Sequence, residues 1–359
     1  MDKKILISLC MIVKNESACI EGVLNSVGNF PDEIIIVDTG STDNTKELVR
    51  KFTNKIYDFK WNDNFSDARN FSFSKAKGEY IIWLDADDYI SNNELKKLIE
   101  FKNNINKNID IFMVKYQHFD NKNPNPNFEF YRERIIRNDS RYKWAGAVHE
   151  CINLIGNIEY LDIAIEHKRG EKSDPKRNLK IYEQLIKSGK QLNTREVYYY
   201  ARELYDNGKY KKSIQWINKF LKLNDAWIED KIGAIEIKTL SYFMLNEIDK
   251  AQQTLLNSLK ITIPRANICC LLADTFMAQN VPYNAIYWYK QAINCQKNNK
   301  NGFVNNDYFS YYPNIKLVIC YYDLGNLKNA KVCNDEALKA KPFDYYALKN
   351  KEFFDSVSL

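Results

Sequence analysis

The sequence predicts an α/β domain built on a mostly parallel sheet, followed by an all-α domain of paired helices. Three observations carry this reading. Near-continuous apolar runs alternate with helical stretches through the first half, as they do where buried parallel strands are joined by helices. Acidic residues stand at the carboxyl ends of those runs, the edge at which open α/β sheets bind ligands. Beyond Gly170 the helical period takes over, and small residues recur at repeat-like intervals.

The elements follow in order. Ile5 to Val13 is an apolar run fit for a strand buried on both faces. Ser17 to Phe30 has helical spacing, and Ile34 to Val37 is a second buried strand ending in Asp38. Thr39-Gly40-Ser41-Thr42-Asp43 turns the chain into a helix over Asn44 to Phe52, with polar residues available to cap it. Asp67 to Lys77 reads as a helix stopped by Gly78, Tyr80 to Leu84 as the third strand, and Ser91 to Glu94 as a capping box opening Leu95 to Lys102. Strands are expected at Ile111 to Gln117, Phe128 to Arg137 and Leu161 to Glu166, as a mixed extension of the sheet. Asn121 to Asn127 reads as a loop between the first two.

A domain boundary is expected within Glu171 to Pro175, giving domains over 1–172 and 173–359. In the second half, Ser213, Ala251, Ala285 and Ala330 align at one small position, and Phe220, Ser258, Ala292 and Ala337 at another. Gly208, Asn246, Asn280 and Gly325 align in the turns. The first set is spaced 38, 34 and 45 residues apart, so the last step calls for an insertion near Lys297 to Asp307. Leu317, Tyr321, Gly325, Ala330, Ala337 and Pro342 resemble the tetratricopeptide pattern, whose period is about 34 residues. Stacked helix pairs are therefore expected, with a generic helical bundle as the alternative. Most of the aromatics in this half (Tyr198, Tyr199, Tyr200, Trp216, Trp227, Tyr287, Trp288, Tyr289) are expected to pack between helices.

Bulk composition excludes several classes. With 359 residues, 45% hydrophobic and 27% charged, the chain is an ordinary globular protein of two or three domains. An excess of 52 basic over 46 acidic residues is small, and no nucleic-acid signature accompanies it, so no nucleic-acid partner is expected. The eight cysteines form no CxxC and several lie in apolar helical stretches, which points to reduced core thiols. Ile5 to Val13 is too short for a signal peptide, and no run reaches the ~20 apolar residues of a membrane span. A cytoplasmic location is expected. P-loop, GxGxxG, HExxH and nucleophile-elbow motifs are absent from the sequence.

The residues that can carry chemistry cluster at the strand ends. Asp85-Ala86-Asp87-Asp88 follows the third strand. Two carboxylates one residue apart suit a hard divalent cation that also holds a phosphate, which suggests an enzyme handling a nucleotide diphosphate; the alternative is an acidic turn capping the next helix. Asp38 can accept hydrogen bonds from a nucleobase imide or a ribose hydroxyl, or can simply form the turn. Asn15-Glu16 lies at the same rim and could line a base pocket or begin the helix. Arg69 offers planar donors suited to phosphate or a base carbonyl, or pairs with Asp67 on the surface. Arg132, Arg134 and Arg137 either hold acceptor or phosphate charge or form the solvated face of a strand.

Cys10 to Glu16, Val37 to Asp43, Ala68-Arg69-Asn70 and Trp83 to Asp88, in this order, resemble family 2 glycosyltransferases with a GT-A fold, over roughly residues 3 to 170. The family commonly has two consecutive acids after the second strand; here Asp38 is followed by Thr39, so one base-reading carboxylate carries over. The resemblance implies an inverting transfer from a nucleotide-sugar donor, most simply UDP-linked, bound near Val13, Asn15, Glu16, Asp38, Arg69, Asp85, Ala86 and Asp87. It implies a Mn²⁺ or Mg²⁺ ion near Asp87, with Asp85 and His167 as further ligands. Trp144-Ala145-Gly146-Ala147-Val148-His149-Glu150 is similar to the W-x-G-x-V-H-E stretch of the branch that joins a GT-A domain to helical repeats. An inverting transfer needs a base for the acceptor's proton. Glu150 is the candidate, with His149 orienting it or lining the sugar site and Asp88 as second candidate. The resemblance extends to bacterial enzymes that glycosylate peptides or proteins and to enzymes that build lipooligosaccharide and other surface glycans. The repeats would present the acceptor, pair two protomers, or both. A non-catalytic interaction protein is the rival of another class, and it would be favoured by loss of Asp85, Asp87 or Glu150, all of which are present.

Overall fold

The computed structural model describes residues 5–119, 126–168, 174–297 and 304–357. The expected loop at Asn121 to Asn127 lies outside these up to residue 125, the boundary at Glu171 to Pro175 up to residue 173, and the insertion near Lys297 to Asp307 over residues 298–303. The chain forms two compact units, one of Met1–His118 with Phe130–Gln184, the other of Phe119–Glu129 with Leu185–Leu359.

The first unit contains β1 (Ile7–Val13), α1 (Ile20–Ser26), β2 (Glu33–Asp38), α2 (Thr45–Val49), β3 (Ile56–Asp58), α3 (Phe65–Phe73), β4 (Tyr80–Trp83), β5 (Asp88–Tyr89), α4 (Asn92–Asn103), β6 (Ile111–Phe119), β7 (Pro126–Arg137), β8 (Trp144–Ala145), β9 (Cys151–Ile152), β10 (Ile158–His167) and the start of α5 (Arg177–Lys187). Eight strands follow one path, β3-β2-β1-β4-β7-β6-β10-β5, while β8 and β9 form a separate ribbon. The β1–β2, β1–β4, β2–β3 and β6–β10 pairs are parallel; β4–β7 and β5–β10 are antiparallel. This is the mixed, mostly parallel sheet expected from the apolar runs. Ile7, Leu9, Met11, Ile36, Tyr80, Ile82, Phe112, Ile135 and Ile165 form its core against Ile20, Leu24, Phe30 and Leu98.

Several local expectations are corrected. Helix α1 is shorter than Ser17 to Phe30 because Gly28 takes a left-handed φ of +52° two residues past its end. Helix α2 is also shorter than expected, and Asn44 at its start makes no side-chain cap. Helix α3 begins two residues early, where the Asn64 side chain accepts from the Asp67 N–H, and ends at Phe73. Gly78 therefore stops nothing. A Cβ there would lie 2.6 Å from Ser8 Oγ and 2.8 Å from Ser8 N, so the glycine serves the close approach of its segment to β1. Ser91 caps α4, but Glu94 completes no box; its carboxylate takes the Ala164 N–H (2.7 Å) and Lys97 Nζ (2.9 Å) instead.

The second unit is built of helix pairs: α6 (Thr194–Asp206) with α7 (Tyr210–Phe220), α8 (Ile228–Met244) with α9 (Ile248–Ser258), α10 (Ala266–Ala278) with α11 (Pro282–Asn294), and α12 (Tyr311–Asp323) with α13 (Leu327–Ala340), closed by α14 (Tyr345–Ser356). Ser213, Ala251, Ala285 and Ala330 sit one on each second helix, all fully buried, where the small side chain lets the paired helix approach. Gly208, Asn246, Asn280 and Gly325 all have left-handed φ, between +56° and +72°. That shared backbone state is why only glycine and asparagine stand there. Between α11 and α12 lie a short strand, β11 (Val304–Asn305), paired with Phe128 and Glu129, and a 3₁₀ turn over Asn306–Phe309. Tyr198, Tyr199, Tyr200 and Tyr289 are buried as expected, whereas Trp227 and Tyr287 are exposed. All eight cysteines are free thiols. Among the described residues no helix is long and apolar enough to cross a membrane.

Candidate active site

The site is assembled at the carboxyl ends of β1, β2 and β4. Val13, the last residue of β1, pairs with Asp38, the last of β2, and its carbonyl accepts from the Thr39 N–H (2.9 Å) and Oγ1 (3.1 Å). The two loops that follow are stitched together. Asn15, with φ +56°, receives the Thr42 N–H on Oδ1 (2.8 Å) and gives its own N–H to Ser41 Oγ (2.9 Å). The Glu16 N–H reaches Thr45 Oγ1 (2.8 Å) and the Ser17 N–H reaches Asp43 Oδ2 (3.1 Å). The polar run after β2 thus fixes the neighbouring loop, whereas the sequence suggested only a helix cap. Burial raises the Glu16 carboxyl above its ordinary value, and Asp43 and Asp85 add to the rise.

Asp38 is buried. Its Oδ1 accepts from the Gly40 and Ser41 N–H groups (2.9 Å each), while Oδ2, also buried, has no hydrogen-bond partner. A buried carboxylate oxygen left unsatisfied is costly. The atom is suited to a donor supplied by a ligand, such as an imide N–H or a ribose hydroxyl.

The four residues after β4 separate into distinct environments. Ala86 is buried in the sheet core. Asp88 is fully buried; Oδ2 accepts from Arg134 Nη1 (2.8 Å) and the Asp85 N–H (2.8 Å), and Oδ1 from the Tyr116 hydroxyl (2.6 Å). Burial pushes the Asp88 carboxyl above its ordinary value, and the Arg134 guanidinium opposes that rise. Arg134, on β7, is also fully buried. It gives Nη1 to the Trp83 carbonyl (3.2 Å), and its guanidinium lies over the rings of Trp83 (3.8 Å) and Tyr116 (4.4 Å). Complete burial speaks against both readings of Arg134 drawn from the sequence: it does not face solvent, and although Nε and Nη2 have no hydrogen-bond partner they are not exposed to a ligand's phosphate. Arg137 is likewise committed, to Asp110 Oδ1 (3.1 Å) and the Tyr80 hydroxyl (2.9 Å).

Asp87 and His167 lie side by side because His167 pairs with Asp88 across β10 and β5. His167 Nδ1 is 3.6 Å from Asp87 Oδ1 and 2.9 Å from the Tyr116 hydroxyl. Burial, and then the charges of Asp85 and Asp88, push the Asp87 carboxyl up to about 7. Asp87, Asp88 and His167 offer ligand atoms within 4.8 Å of one another. Two carboxylates and an imidazole form a donor set that suits Mn²⁺ or Mg²⁺. Because Asp88 is fully buried and already accepts three hydrogen bonds, Asp87 and His167 are the two of the group better placed to meet a cation.

Asp85 is turned elsewhere. Its Oδ1 accepts from Arg69 Nη2 (2.7 Å), and the same guanidinium gives Nε to Glu150 Oε1 (2.6 Å). Burial alone would raise the Asp85 carboxyl; Arg69 and Arg134 reverse that and hold it well below the usual carboxylate range. Arg69 itself is buried, with its guanidinium 4.8 Å from the Trp83 ring and 4.9 Å from the Trp144 ring. Those two indoles meet edge to face at 4.8 Å.

Glu150 arrives there because the 144–150 segment is sewn to α3. Asn70 takes the Trp144 N–H on Oδ1 and gives Nδ2 to the Trp144 carbonyl (2.9 Å each). The Phe65 N–H reaches the Ala147 carbonyl (2.9 Å), and Ser66 Oγ donates to the Gly146 carbonyl (2.5 Å). The β8–β9 ribbon brackets the turn, Gly146 and His149 take left-handed φ of +102° and +52°, and Tyr182 of α5 donates to the Val148 carbonyl (3.3 Å). The Ala68-Arg69-Asn70 and Trp144-to-Glu150 motifs are therefore two halves of one construction.

Tyr116 was not among the residues singled out from the sequence, nor was His118, whose ring centroid is 4.5 Å from that of His167; Arg134 was singled out, but not as the partner of Asp88. Tyr116 and His118 alternate along β6, as do Arg132 and Arg134 along β7. That alternation shows which residues share a face, but not that the face is turned to Asp88.

Comparison with known proteins agrees with this construction. Residues 8–155 match the family model described as Glycosyl transferase family 2. A TPR repeat-containing protein of Synechococcus elongatus is 42% identical over 82 residues, covering 23% of this chain and 20% of that one. The SPbeta prophage-derived glycosyltransferase SunS of Bacillus subtilis is 28% identical over 238 residues, 60% of this chain and 54% of that one. An uncharacterized glycosyltransferase of Haemophilus influenzae is 34% identical over 104 residues, 27% of this chain and 42% of that one. The chain thus spans between a fifth and about half of the length of these relatives. Over residues 8–155, the chain carries a domain of glycosyl transferase family 2.

Proposed function

We propose that this protein is an inverting, metal-dependent glycosyltransferase that moves a sugar from a nucleotide-diphosphate donor, with uracil as the base, to a peptide or protein side chain in the cytoplasm. The observation that carries the reading is the convergence of Glu150, Asp85 and Asp87 at one rim, with Arg69 joining the first two.

The roles follow from the environments. Asp38 Oδ2, buried and without a partner, is matched to the base or ribose of the donor. Asp87 and His167 would hold a Mn²⁺ or Mg²⁺ ion. When bound, such an ion offsets the negative charge that the departing diphosphate gains. Glu150 is the base: Oε1 is held by Arg69, and Oε2 receives no hydrogen bond from the described residues. In the transfer, the acceptor heteroatom bonds to the anomeric carbon from the face opposite the diphosphate. The bond from that carbon to the diphosphate oxygen breaks, the nucleotide leaves with the electron pair, and Glu150 Oε2 takes the acceptor's proton. Asp88, fully buried under three donors, cannot approach an acceptor and is left an anchoring role. A peptide acceptor is supported by the repeat unit, whose helices α8, α10 and α12 line a cavity of about 340 Å³ with Tyr289, Tyr308, Tyr312 and Asp274.

Release of UDP from UDP-glucose or UDP-N-acetylglucosamine, with water as the acceptor, tests the reading. Turnover is expected to need Mn²⁺ and Asp87. Glu150→Gln is expected to lower it by about 10²–10⁴-fold, the usual worth of a general base, with UDP affinity nearly unchanged. No turnover with any donor would return the chain to the non-catalytic class, and loss of UDP binding in E150Q would move Glu150 to a binding role.

A further inference from the structure

The first acid of the Asp85-Ala86-Asp87-Asp88 run meets the candidate cation ligands only through its backbone, whose N–H donates to Asp88 Oδ2. Its Oδ1 is spent on Arg69 Nη2 at 2.7 Å, and it is not a member of the Asp87, Asp88 and His167 group. We infer that Asp85 and Arg69 are positioning residues for the base Glu150, so that the two outer aspartates of the D-x-D pattern serve different atoms of the reaction: Asp87 the cation, Asp85 the base. The inference rests on Glu150 being the base, as proposed above.

The geometry argues each link. Arg69 has planar, forked donors, and two of them, Nε and Nη2, are directed to two different carboxylates at 2.6 and 2.7 Å. A guanidinium so engaged cannot swing to a third anion without unpairing one of them, and losing Glu150, whose side chain is 11% exposed, would strand a largely buried charge, which is costly. The indoles of Trp83 and Trp144, each within 5 Å of the guanidinium carbon, fix its position further. With Arg69 fixed, Glu150 Oε1 is fixed, and Oε2 is left as the oxygen that can accept a proton. A misplacement of ~1 Å at a reacting group can cost about 100-fold in rate. Asp85 completes the clamp by holding the far side of the guanidinium. Without that counter-charge Arg69 would carry a single pairing and a freer orientation.

The experiment compares R69K, D85N, D87N, E150Q and the double variant R69K/E150Q. It measures kcat and KM for donor hydrolysis in saturating Mn²⁺, and Mn²⁺ affinity by electron paramagnetic resonance. Lysine keeps the charge at position 69 but cannot bond both carboxylates as a planar fork. R69K and D85N are expected to lose about 10–100-fold in kcat, with donor KM and Mn²⁺ affinity within threefold of the parent. D87N is expected to lose at least tenfold in Mn²⁺ affinity. R69K/E150Q is expected to be no slower than E150Q, because a residue that acts through Glu150 has nothing left to act on. The inference is overturned if D85N loses Mn²⁺ affinity as D87N does, if R69K raises donor KM with kcat intact, or if the R69K loss adds to that of E150Q. An E150Q enzyme with parental kcat would instead remove the base assignment itself. The Mn²⁺ measurement also shows whether each variant has kept a folded site.

Discussion

Replacing Arg134 with methionine should destabilise the first unit more than any exposed substitution in it. The side chain is fully buried and faces an equally buried Asp88 at 2.8 Å. Its removal leaves Asp88 with the Tyr116 hydroxyl and the Asp85 N–H but no counter-charge, and leaves the Trp83 carbonyl without its Arg134 donor. Breaking a buried pair by deleting one partner costs about 3–5 kcal/mol. At ~2–4 °C per kcal/mol for a unit of this size, the melting transition should fall by about 6–20 °C. Near-ultraviolet circular dichroism, which reads the packing of Trp83 and Trp144, follows that unit's melting. The double variant D88N/R134M should recover part of the loss, because a neutral amide replaces the stranded charge. A melting temperature within ~2 °C of the parent for R134M would refute the premise that this pair is an anchor of the fold. No recovery in the double variant would show that the cost comes from lost packing on Trp83 and not from charge.

Three other outcomes are expected. Asp38→Asn keeps an acceptor for the Gly40 and Ser41 N–H groups but removes a charged acceptor at the unpartnered oxygen. UDP affinity by calorimetry should fall by about 10–100-fold, the worth of a hydrogen bond to a charged group, with melting unchanged; equal loss of both would assign Asp38 to the fold alone. Gly78→Ala places a methyl 2.6 Å from Ser8 Oγ and 2.9 Å from the Tyr80 carbonyl and should cost about 1–3 kcal/mol in a denaturant titration; a neutral effect would show that the β1 edge can give way. Glu33 is buried, yet Lys55, Ser8 Oγ and the Lys77 N–H hold its carboxyl below the ordinary 4.5. Its contribution to stability is therefore present above pH 4.5 and is lost as pH falls through the lowered folded value. Glu33→Gln should flatten the acid arm of a melting profile between pH 6 and 3, and an unchanged arm would place the acid sensitivity elsewhere.

The fold was legible wherever a single physical requirement selects the residue type. Strands buried on both faces demand unbroken apolar runs, and β1, β2 and β4 read directly from them. Left-handed turns demand glycine or asparagine, so aligning Gly208, Asn246, Asn280 and Gly325 located four helix pairs. The strands that escaped are β3, β5, β8, β9 and β11, with two or three residues each. Segments so short carry no period and exist because the tertiary structure pairs them. Gly78 was misread for a related reason: a glycine required by close approach looks the same in sequence as one that ends a helix. At the site, the candidate residues could be named from motif and chemistry, but their partners could not. Arg69 and Glu150 are 81 residues apart, and Arg134 meets Asp88 across 46 residues of chain. Nothing local to either marks an arginine as buried, because only the opposing carboxylate makes that burial tolerable.

Trp83 stands where all of these charges meet. Its ring lies 3.8, 4.8 and 4.9 Å from the guanidinium carbons of Arg134, Arg69 and Arg132, and its indole N–H donates to the Glu133 carbonyl. An indole's emission colour follows the electric field across it. This ring therefore gives the domain an intrinsic optical gauge, one whose wavelength should move when an anionic guest arrives beside those three cations.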